Sequence, residues 1–303
     1  MVDSKAKSPS STAPFELAIV AHGSASLSAE ELVALRQRSI DRFSAQLRPQ
    51  LLKHSDEQTL AAAVALDRAI GQMAQCPCFA EWAVVSATQY LGRAAFAAVV
   101  DKYQIDGPWG VSVQVIPHTS PHAVASTLSM GLASHGPSIG AGTAPGEEPQ
   151  AVLTAATLLK RADIAGAWIV FSGWSYKPKT ADASPQPTCV AAVLAVSLPH
   201  VAAGADTASV GRIMIQTRPR LEESEPDQRA TENLTQWLVS AGNSPRSAAP
   251  CCHSFSTAGM SLSIELGAPA HRAPAATVAI EPRARDSGHL ARSPCQPQPA
   301  LEP

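Results

Sequence analysis

The amino-acid sequence predicts an α/β fold with a mostly parallel sheet flanked by helices. Strand-like and helix-like patterns alternate from residue 15 to about residue 240, which is typical of layered α/β domains. The chain has 303 residues, of which 45% are hydrophobic, enough to build a sizeable core. After residue 241 the periodicity fades, and nine of the 25 prolines fall there. We therefore expect a polar lead over 1–14, a folded domain over 15–240 and a disordered tail over 241–303.

Each element rests on a local pattern. Strands are predicted where β-branched and apolar residues alternate or run together between turn signals. Helices are predicted where apolar residues recur every three or four positions, and Pro117 and Pro121 are expected to prevent a helix before His122. The predicted strands are 15–20, 82–86, 111–116, 139–141, 167–173, 189–196 and 212–217, and the predicted helices are 28–47, 55–75, 89–103, 123–132, 147–161 and 226–239. Within the tail, Leu262, Ile264 and Leu266 alternate as in a strand.

The charge balance excludes several classes of partner. The formal net charge is −2 and only 16% of residues are charged, so no basic surface for nucleic acid or an anionic membrane is indicated. No apolar run approaches the ~20 residues of a membrane-spanning helix. Residues 1–14 lack the apolar segment of a signal peptide. We expect a cytoplasmic protein without a cofactor.

The cysteines and histidines do not predict a metal site. A structural zinc site needs four ligands at regular spacing, whereas Cys76-Pro77-Cys78 and Cys251-Cys252-His253 lie far apart. Cys189 falls in an apolar strand and is expected in the core. His118 and His122 are four positions apart, but Pro121 interrupts the helix that would align them.

Residues 136–145 carry the most informative motif, Gly-Pro-Ser-Ile-Gly-Ala-Gly-Thr-Ala-Pro. They predict a short strand, a turn and then a helix from about Glu147, with Pro149 in the first turn where its missing N–H costs nothing. The N-terminus of such a helix stabilises an anion and can activate a nucleophile. The residue at that place is Pro145, which has no nucleophilic atom.

This run resembles the nucleophile segment of β-ketoacyl synthases, in which Gly-Pro-Ser leads through a short strand to Thr-Ala-Cys. Gly136-Pro137-Ser138 and Thr143-Ala144 fall in register, and Pro145 stands where that family carries its cysteine. Flanking segments are also similar to the family, so the resemblance covers about residues 80 to 200. The chain is identified as a member of the thiolase-like superfamily, on a cysteine-lacking branch of β-ketoacyl synthase-like N-terminal domains.

The resemblance implies one thiolase-like half, read as βαβαβαββ, and no catalytic residue. A complete synthase has two such halves, and its catalytic histidines and lysine come from the second half, whose His-Gly-Thr-Gly-Thr segment has no counterpart after residue 200. One half alone would leave a sheet face and strand edges exposed, so we expect the chain not to persist as a monomer. The implied site residues are Thr143, Ala144, Pro145 and Gly146 at a helix N-terminus and acyl pocket, and Ser138, Ile139, Gly140 and Ala141 at a dimer interface.

Three functions remain open from the sequence. The first is a non-catalytic accessory subunit, comparable with a chain length factor, which pairs with a cysteine-bearing ketosynthase or with itself and serves an acyl carrier protein. The second is an acyltransferase that uses acyl-carrier-protein or coenzyme A thioesters without a covalent cysteine intermediate. The third is a degenerate domain with a structural or interaction role. In none of them is the chain a competent condensing enzyme by itself.

Overall fold

The computed structural model describes residues 13–38, 52, 55–73, 77–112, 115–142, 146–175, 187–204, 209–217, 234–243, 251–257 and 260–267. Within these ranges the chain forms eight strands and eight helices. The strands are β1 (Phe15–Ser28), β2 (Trp82–Thr88), β3 (Ser138–Gly140), β4 (Gly166–Ser175), β5 (Thr188–Ser197), β6 (Gly211–Thr217), β7 (Cys251–Thr257) and β8 (Met260–Leu266). The helices are α1 (Ala29–Arg38), α2 (Glu57–Gln72), α3 (Arg93–Asp106), α4 (Val115–Thr119), α5 (Ala123–Leu132), α6 (Glu148–Leu158), α7 (Pro199–Gly204) and α8 (Leu234–Asn243).

The strands form one sheet in the order β3-β2-β4-β5-β1-β6-β8-β7. β2 is parallel to β3 and β4, and the other five neighbouring pairs are antiparallel. The four strands β1 to β4 therefore point the same way, with β5 reversed between β4 and β1. The α/β class is as predicted, but the sheet is mixed rather than mostly parallel. Consecutive strands such as β4 and β5 lie side by side in opposite directions, and such a pair needs no crossover helix.

Helices cover both faces of the central strands. Along β2, Trp82 and Val84 point to the side of α1, α2 and α5, and Ala83 and Val85 point to the side of α6 and α8. The prediction that one sheet face is exposed is therefore wrong for β2, β4, β5 and β1. Along β6 and β8, the sheet face that points away from α8 is polar. There Arg212 Nε donates to Glu265 Oε2 over 2.6 Å.

The helix α2 packs very closely against the strand β1. Gly23 in β1 has no side chain, and a Cβ there would collide with the carbonyl oxygen of Ala65. The helix backbone can approach the strand this closely because its facing side is a run of alanines. On the same face, Trp168 is completely buried, and its ring centroid lies 5.3 Å from that of Phe79 and 5.4 Å from that of Trp82. Aromatic clusters of this kind contribute beyond their buried area.

The predicted strand over 111–116 is wrong. Residues Pro108–Gly110 form a 3-10 turn, and Val115–Thr119 is the short helix α4. Pro117 sits in the first turn of that helix, where its missing N–H removes no intrahelical hydrogen bond, so it does not exclude a helix before His122.

The predicted disordered tail is wrong for residues 251–257 and 260–266. These residues form β7 and β8, and β8 pairs with β6 along its whole length. Leu262, Ile264 and Leu266 are buried, as their alternation in the sequence predicts. The disorder was predicted from the high proline content of the region, which does not reveal a short hairpin. Residues 1–12 and those after 267 lie outside the described part of the chain.

No helix in the described ranges is both long and apolar enough to cross a membrane.

The helix α2 begins at a half-buried cap. Asp56 is its N-cap residue, and its carboxylate accepts a hydrogen bond of 3.0 Å from the Thr59 N–H. Burial raises the pKa of Asp56 to about 6, against the opposing effect of the hydrogen bond from Thr59. The folded protein therefore holds the proton of this carboxyl more tightly than the unfolded chain does.

Replacing Asp56 with Asn tests the burial of this cap. Because the pKa is raised on folding, Asp56 destabilises the fold progressively as the pH rises from about 4 to about 6, and the deficit is constant above that. The amide oxygen of Asn still caps the helix but does not ionise. We expect Asp56→Asn to raise the free energy of unfolding by about 1–2 kcal/mol at pH 7.5 and to leave it unchanged at pH 4.

Urea unfolding at several pH values measures this effect. Asp101→Asn, on the exposed surface of α3, is the matched control and should show no such window. A difference between wild type and Asp56→Asn that does not change with pH would contradict the assignment.

Candidate functional site

The candidate site lies where β2 and β4 end and α6 begins. Thr143, Ala144 and Pro145 lie outside the described residues, and the chain on either side of them is held firmly. Before them, the Ala141 N–H donates to Ser86 O over 2.7 Å and Gly142 O accepts from the Thr88 N–H over 3.3 Å. The residues before the segment are thus hydrogen-bonded to the last residues of β2. The residue after it, Gly146, is hydrogen-bonded to α6.

Gly146 directly precedes Glu147, the N-cap residue of α6. Its φ angle is +85°, in the left-handed region that favours glycine. Its N–H donates to Glu148 Oε2 over 2.8 Å. As predicted, α6 begins at about Glu147 and has Pro149 in its first turn.

Glu148 places a buried carboxylate at this helix N-terminus. Its side chain is almost completely buried, with the residue 2% exposed. One carboxylate oxygen accepts from the Gly146 N–H, and the other accepts from Gln89 Nε2 over 2.6 Å. The positive end of the helix dipole stabilises the negative charge further. The anion position of this helix is therefore filled by the chain's own side chain.

A chain of buried hydrogen bonds connects this carboxylate with the rest of the core. Gln89 N–H donates to Ser172 O over 2.8 Å, and Gln58 Nε2 donates to Gln89 O over 2.9 Å. Ser172 Oγ donates to Gln58 Oε1 over 3.0 Å. Since Gln58 lies in α2, Gln89 follows β2 and Ser172 lies in β4, the network joins both faces of the sheet. Such satisfied networks are worth more buried than exposed.

The sequence analysis did not predict most of this network. It placed a helix start at about Glu147 but did not single out Gln58, Gln89 or Ser172. Two positions indicated a buried polar network. Gln58 lies in the first turn of an otherwise alanine-rich buried helix, and Gln89 directly follows a strand whose seven residues are all buried. A polar residue in such surroundings requires a buried partner.

The predicted interface residues lie at the edge of the sheet. Ser138, Ile139 and Gly140 form β3, and Ala141 follows. β3 pairs with β2 on one side and with no described strand on the other. All three strand residues are half-buried. An unpaired edge of this kind is a template for pairing with another chain.

The remaining candidates are not gathered at one place. His118 and His122 are exposed and belong to different turns, since α4 ends at Thr119 and α5 begins at Ala123. Across the described ranges, no three His, Cys, Asp or Glu side chains are grouped so as to hold a metal ion. Cys189 is buried in β5 as predicted, and burial raises the pKa of its thiol well above the ordinary value.

Comparison with known proteins identifies the fold. No family model matches the chain, and no curated protein does. Among solved structures, a chain of the AntDE:AntF complex, a type II polyketide synthase acyl carrier protein with its ketosynthase, superposes with a TM-score of 0.54 at 12% identity. The match covers 84% of this chain and 99% of that one. The chain has the thiolase-like fold of the ketosynthases.

Two further structures are similar to this thiolase-like chain. The complex of the ketosynthase ApeO with its chain length factor ApeC from Xenorhabdus doucetiae has a TM-score of 0.46 at 12% identity, over 83% of this chain and 99% of that one. A β-ketoacyl synthase from Burkholderia phymatum STM815 also has a TM-score of 0.46 at 12% identity. That match covers 70% of this chain and 66% of the synthase.

Removing the buried carboxylate tests the network. Glu148→Ala leaves the buried Gln89 amide without its acceptor and removes the acceptor of the exposed Gly146 N–H, so we expect the free energy of unfolding to fall by about 1–3 kcal/mol. Glu148→Gln keeps one acceptor oxygen and should lose less. Urea unfolding at pH 7.5 measures both. Glu81→Ala, on an exposed residue, is the control and should stay within about 0.5 kcal/mol of wild type. Equal losses for Glu148→Ala and Glu81→Ala would show that the network contributes nothing.

Proposed function

We propose that this chain is a non-catalytic, ketosynthase-like accessory subunit, comparable with a chain length factor, in fatty-acid or polyketide-type biosynthesis. One observation carries the proposal. The buried Glu148 carboxylate accepts the Gly146 N–H at the N-terminus of α6, where a nucleophilic enzyme of this geometry would stabilise its own anion.

Two features of this position oppose covalent chemistry. Pro145 has neither a nucleophilic atom nor a backbone N–H that could donate to an oxyanion. The Glu148 carboxylate is hydrogen-bonded to the amide that joins residues 145 and 146. A second anion beside it would be disfavoured by Coulomb repulsion between the two negative charges. The site therefore suits structure rather than nucleophilic catalysis.

The described residues give little support to an acyltransferase without a covalent intermediate. Such an enzyme needs a base close to the acyl group. His22 lies on β1, which is separated from β4 by β5, and burial lowers its pKa. His118, His122 and His135 are exposed. None of these lies at the start of α6, so the accessory role is the better supported of the two.

The proposed partners are a cysteine-bearing ketosynthase and an acyl carrier protein. A ketosynthase and an acyl carrier protein occur together in the AntDE:AntF complex, to which this chain is similar in fold. In the proposed complex Ser138 to Ala141 lie at the interface, because β3 offers an unpaired strand edge. Thr143, Ala144, Pro145 and Gly146 form one wall of the acyl pocket.

Purification of the tagged chain from its native host tests this role. A ketosynthase that retains its cysteine should copurify, and the complex should condense acyl and malonyl groups on a carrier protein. The chain alone should not. Substituting the ketosynthase's nucleophilic cysteine should abolish condensation, whereas Cys78→Ser with Cys252→Ser, both on exposed residues of this chain, should leave it within about twofold. Condensation by the isolated chain, or the absence of a ketosynthase, would refute the proposal.

The effect of Glu148 on a thiol can be measured directly. In Pro145→Cys the neighbouring carboxylate should hold the pKa of the new thiol above that of an ordinary cysteine. In Pro145→Cys with Glu148→Gln the carboxylate is gone and the helix dipole remains, so the pKa should fall by about one to two pH units. The measurement is the rate of iodoacetamide alkylation at residue 145 against pH, read by peptide mass spectrometry.

Cys78, exposed in the same samples, is the internal reference and should react alike in both variants. Identical alkylation profiles at residue 145 in the two variants would show that Glu148 does not govern this position.

A further inference from the structure

Two hydroxyl groups are buried on one face of β2 without a hydrogen-bond partner. Ser86 is completely buried and Thr88 is 1% exposed. Within the part of the chain that the structure describes, neither Ser86 Oγ nor Thr88 Oγ1 is hydrogen-bonded. Polar groups buried in native proteins are almost always paired, with the chain itself, with ordered water or with a ligand, because leaving them unpaired is costly. These two hydroxyls therefore require a partner.

Both hydroxyls point to the side of the sheet that carries α2 and α5. Side chains alternate along a strand, and Val84 packs on that side whereas Val85 packs on the other. Ser86 and Thr88 therefore continue the row of Val84. Ser172, which is paired with Thr88 in the parallel neighbour β4, points the same way, because its hydroxyl donates to a side chain of α2.

The helix α5 begins beside Ser86. Ser86 is paired with Gly140 of β3, so these two residues lie side by side on this face of the sheet. A Cβ on Gly140 would collide with the carbonyl oxygen of Pro121, which directly precedes the helix cap. Beyond the other end of the helix, the Ser134 hydroxyl donates to the carbonyl of Trp82 at the start of β2. The helix therefore runs antiparallel to β2, with its first turn at the level of Ser86.

The first turn of α5 contains backbone donors without acceptors. Val124 and Ala125 are completely buried there. Among the described residues, no carbonyl accepts from either N–H group, and the N-cap residue His122 makes no side-chain hydrogen bond to the helix. The N–H groups of a first turn point out of the N-terminal end of a helix. Because α5 is antiparallel to β2, they point past Ser86 towards the level of Thr88.

These donors and hydroxyls together match the hydrogen-bonding capacity of water. The N–H groups can only donate, whereas the hydroxyl oxygens can also accept. A water molecule that accepts from the helix and donates to the hydroxyls has up to four partners, and buried waters typically have about three. The first turn of α5 carries only short side chains, those of Ala123, Val124 and Ala125, so no long side chain of the helix fills this place.

An anion is the less suitable occupant, although a helix N-terminus favours negative charge. Two carboxylates are already held at this end of the sheet. Glu148 is hydrogen-bonded to Gln89, the residue that follows Thr88, and Asp56 caps the neighbouring helix α2. Repulsion from both carboxylates and the cost of complete burial oppose a third negative charge, whereas a neutral molecule meets neither obstacle.

We propose that the space between the first turn of α5 and the end of β2 binds an internal water molecule. The N–H groups of Val124 and Ala125 hold it from the helix, and the hydroxyls of Ser86 and Thr88 hold it from the sheet. The water connects α5 to the strand end at which the buried network already joins α2, α6 and β4. This site is independent of the proposed accessory function.

A crystal structure of the full chain, grown in sodium bromide, tests the site directly. Bromide reveals a small-anion site by its anomalous scattering, which water lacks. We expect one ordered density peak without anomalous signal, about 3 Å from the Ala125 nitrogen and from the hydroxyl oxygen of Ser86 or Thr88. A bromide peak at this place would assign the site to an anion, and no peak would show that the site is dry. Either result overturns the proposal.

Replacing Thr88 with Val tests what the bound water contributes, since Val keeps the shape of the side chain and removes the hydroxyl. We expect the equilibrium constant for unfolding in water, from urea titration at pH 7.5, to rise about two- to tenfold. Thr157→Val makes the same change on the exposed surface of α6 and should alter that constant by less than about twofold. An unfolding constant that falls or stays unchanged in Thr88→Val would show that this hydroxyl holds no water.

Discussion

The Glu148 carboxylate and its hydrogen bonds hold together the part of the fold that contains the candidate site. One oxygen fixes the residue that enters α6, and the other fixes Gln89 at the end of β2. Gln89 in turn is held by Gln58 of α2 and by the backbone of Ser172 in β4. A buried carboxylate without these donors would be strongly unfavourable. The position of α6, the ends of β2 and β4 and the placement of α2 are therefore set by one connected group of polar atoms.

The fold followed from the sequence where burial alone decides the structure. β4 and β5 are nearly continuous apolar runs, and α5 lies within the bounds that its spacing of apolar residues predicts. The strand expected over 111–116 failed because β-branched residues form a strand only where they pair with the sheet, and Val115–Thr119 forms a short helix instead. The hairpin of β7 and β8 was hidden because its proline-rich surroundings outweighed a short alternating pattern. Both failures concern pairing across the chain, which local patterns do not contain.

The sequence predicted where the candidate site lies but not which side chains form its hydrogen bonds. The motif from Gly136 to Pro145 located the turn before α6, and the proline showed what that turn lacks. The sequence suggested an empty helix N-terminus, whereas the structure fills it with Glu148. Gln58 lies 90 positions before Glu148 in the chain, so only the tertiary fold brings the members of the network together. Side-chain hydrogen bonds over such separations have no local signature in the sequence.

The start of α6 and the exposed side of α3 differ in how their polar and apolar groups are satisfied. Because a carboxylate occupies the anion position at α6, this part of the protein is stabilised without substrate and has no need to open for chemistry. Among the described residues, the polar groups at the start of α6 are therefore hydrogen-bonded within the chain, whereas apolar side chains of α3 are exposed to water. This distribution is the physical basis on which we propose an accessory role rather than catalysis at the start of α6.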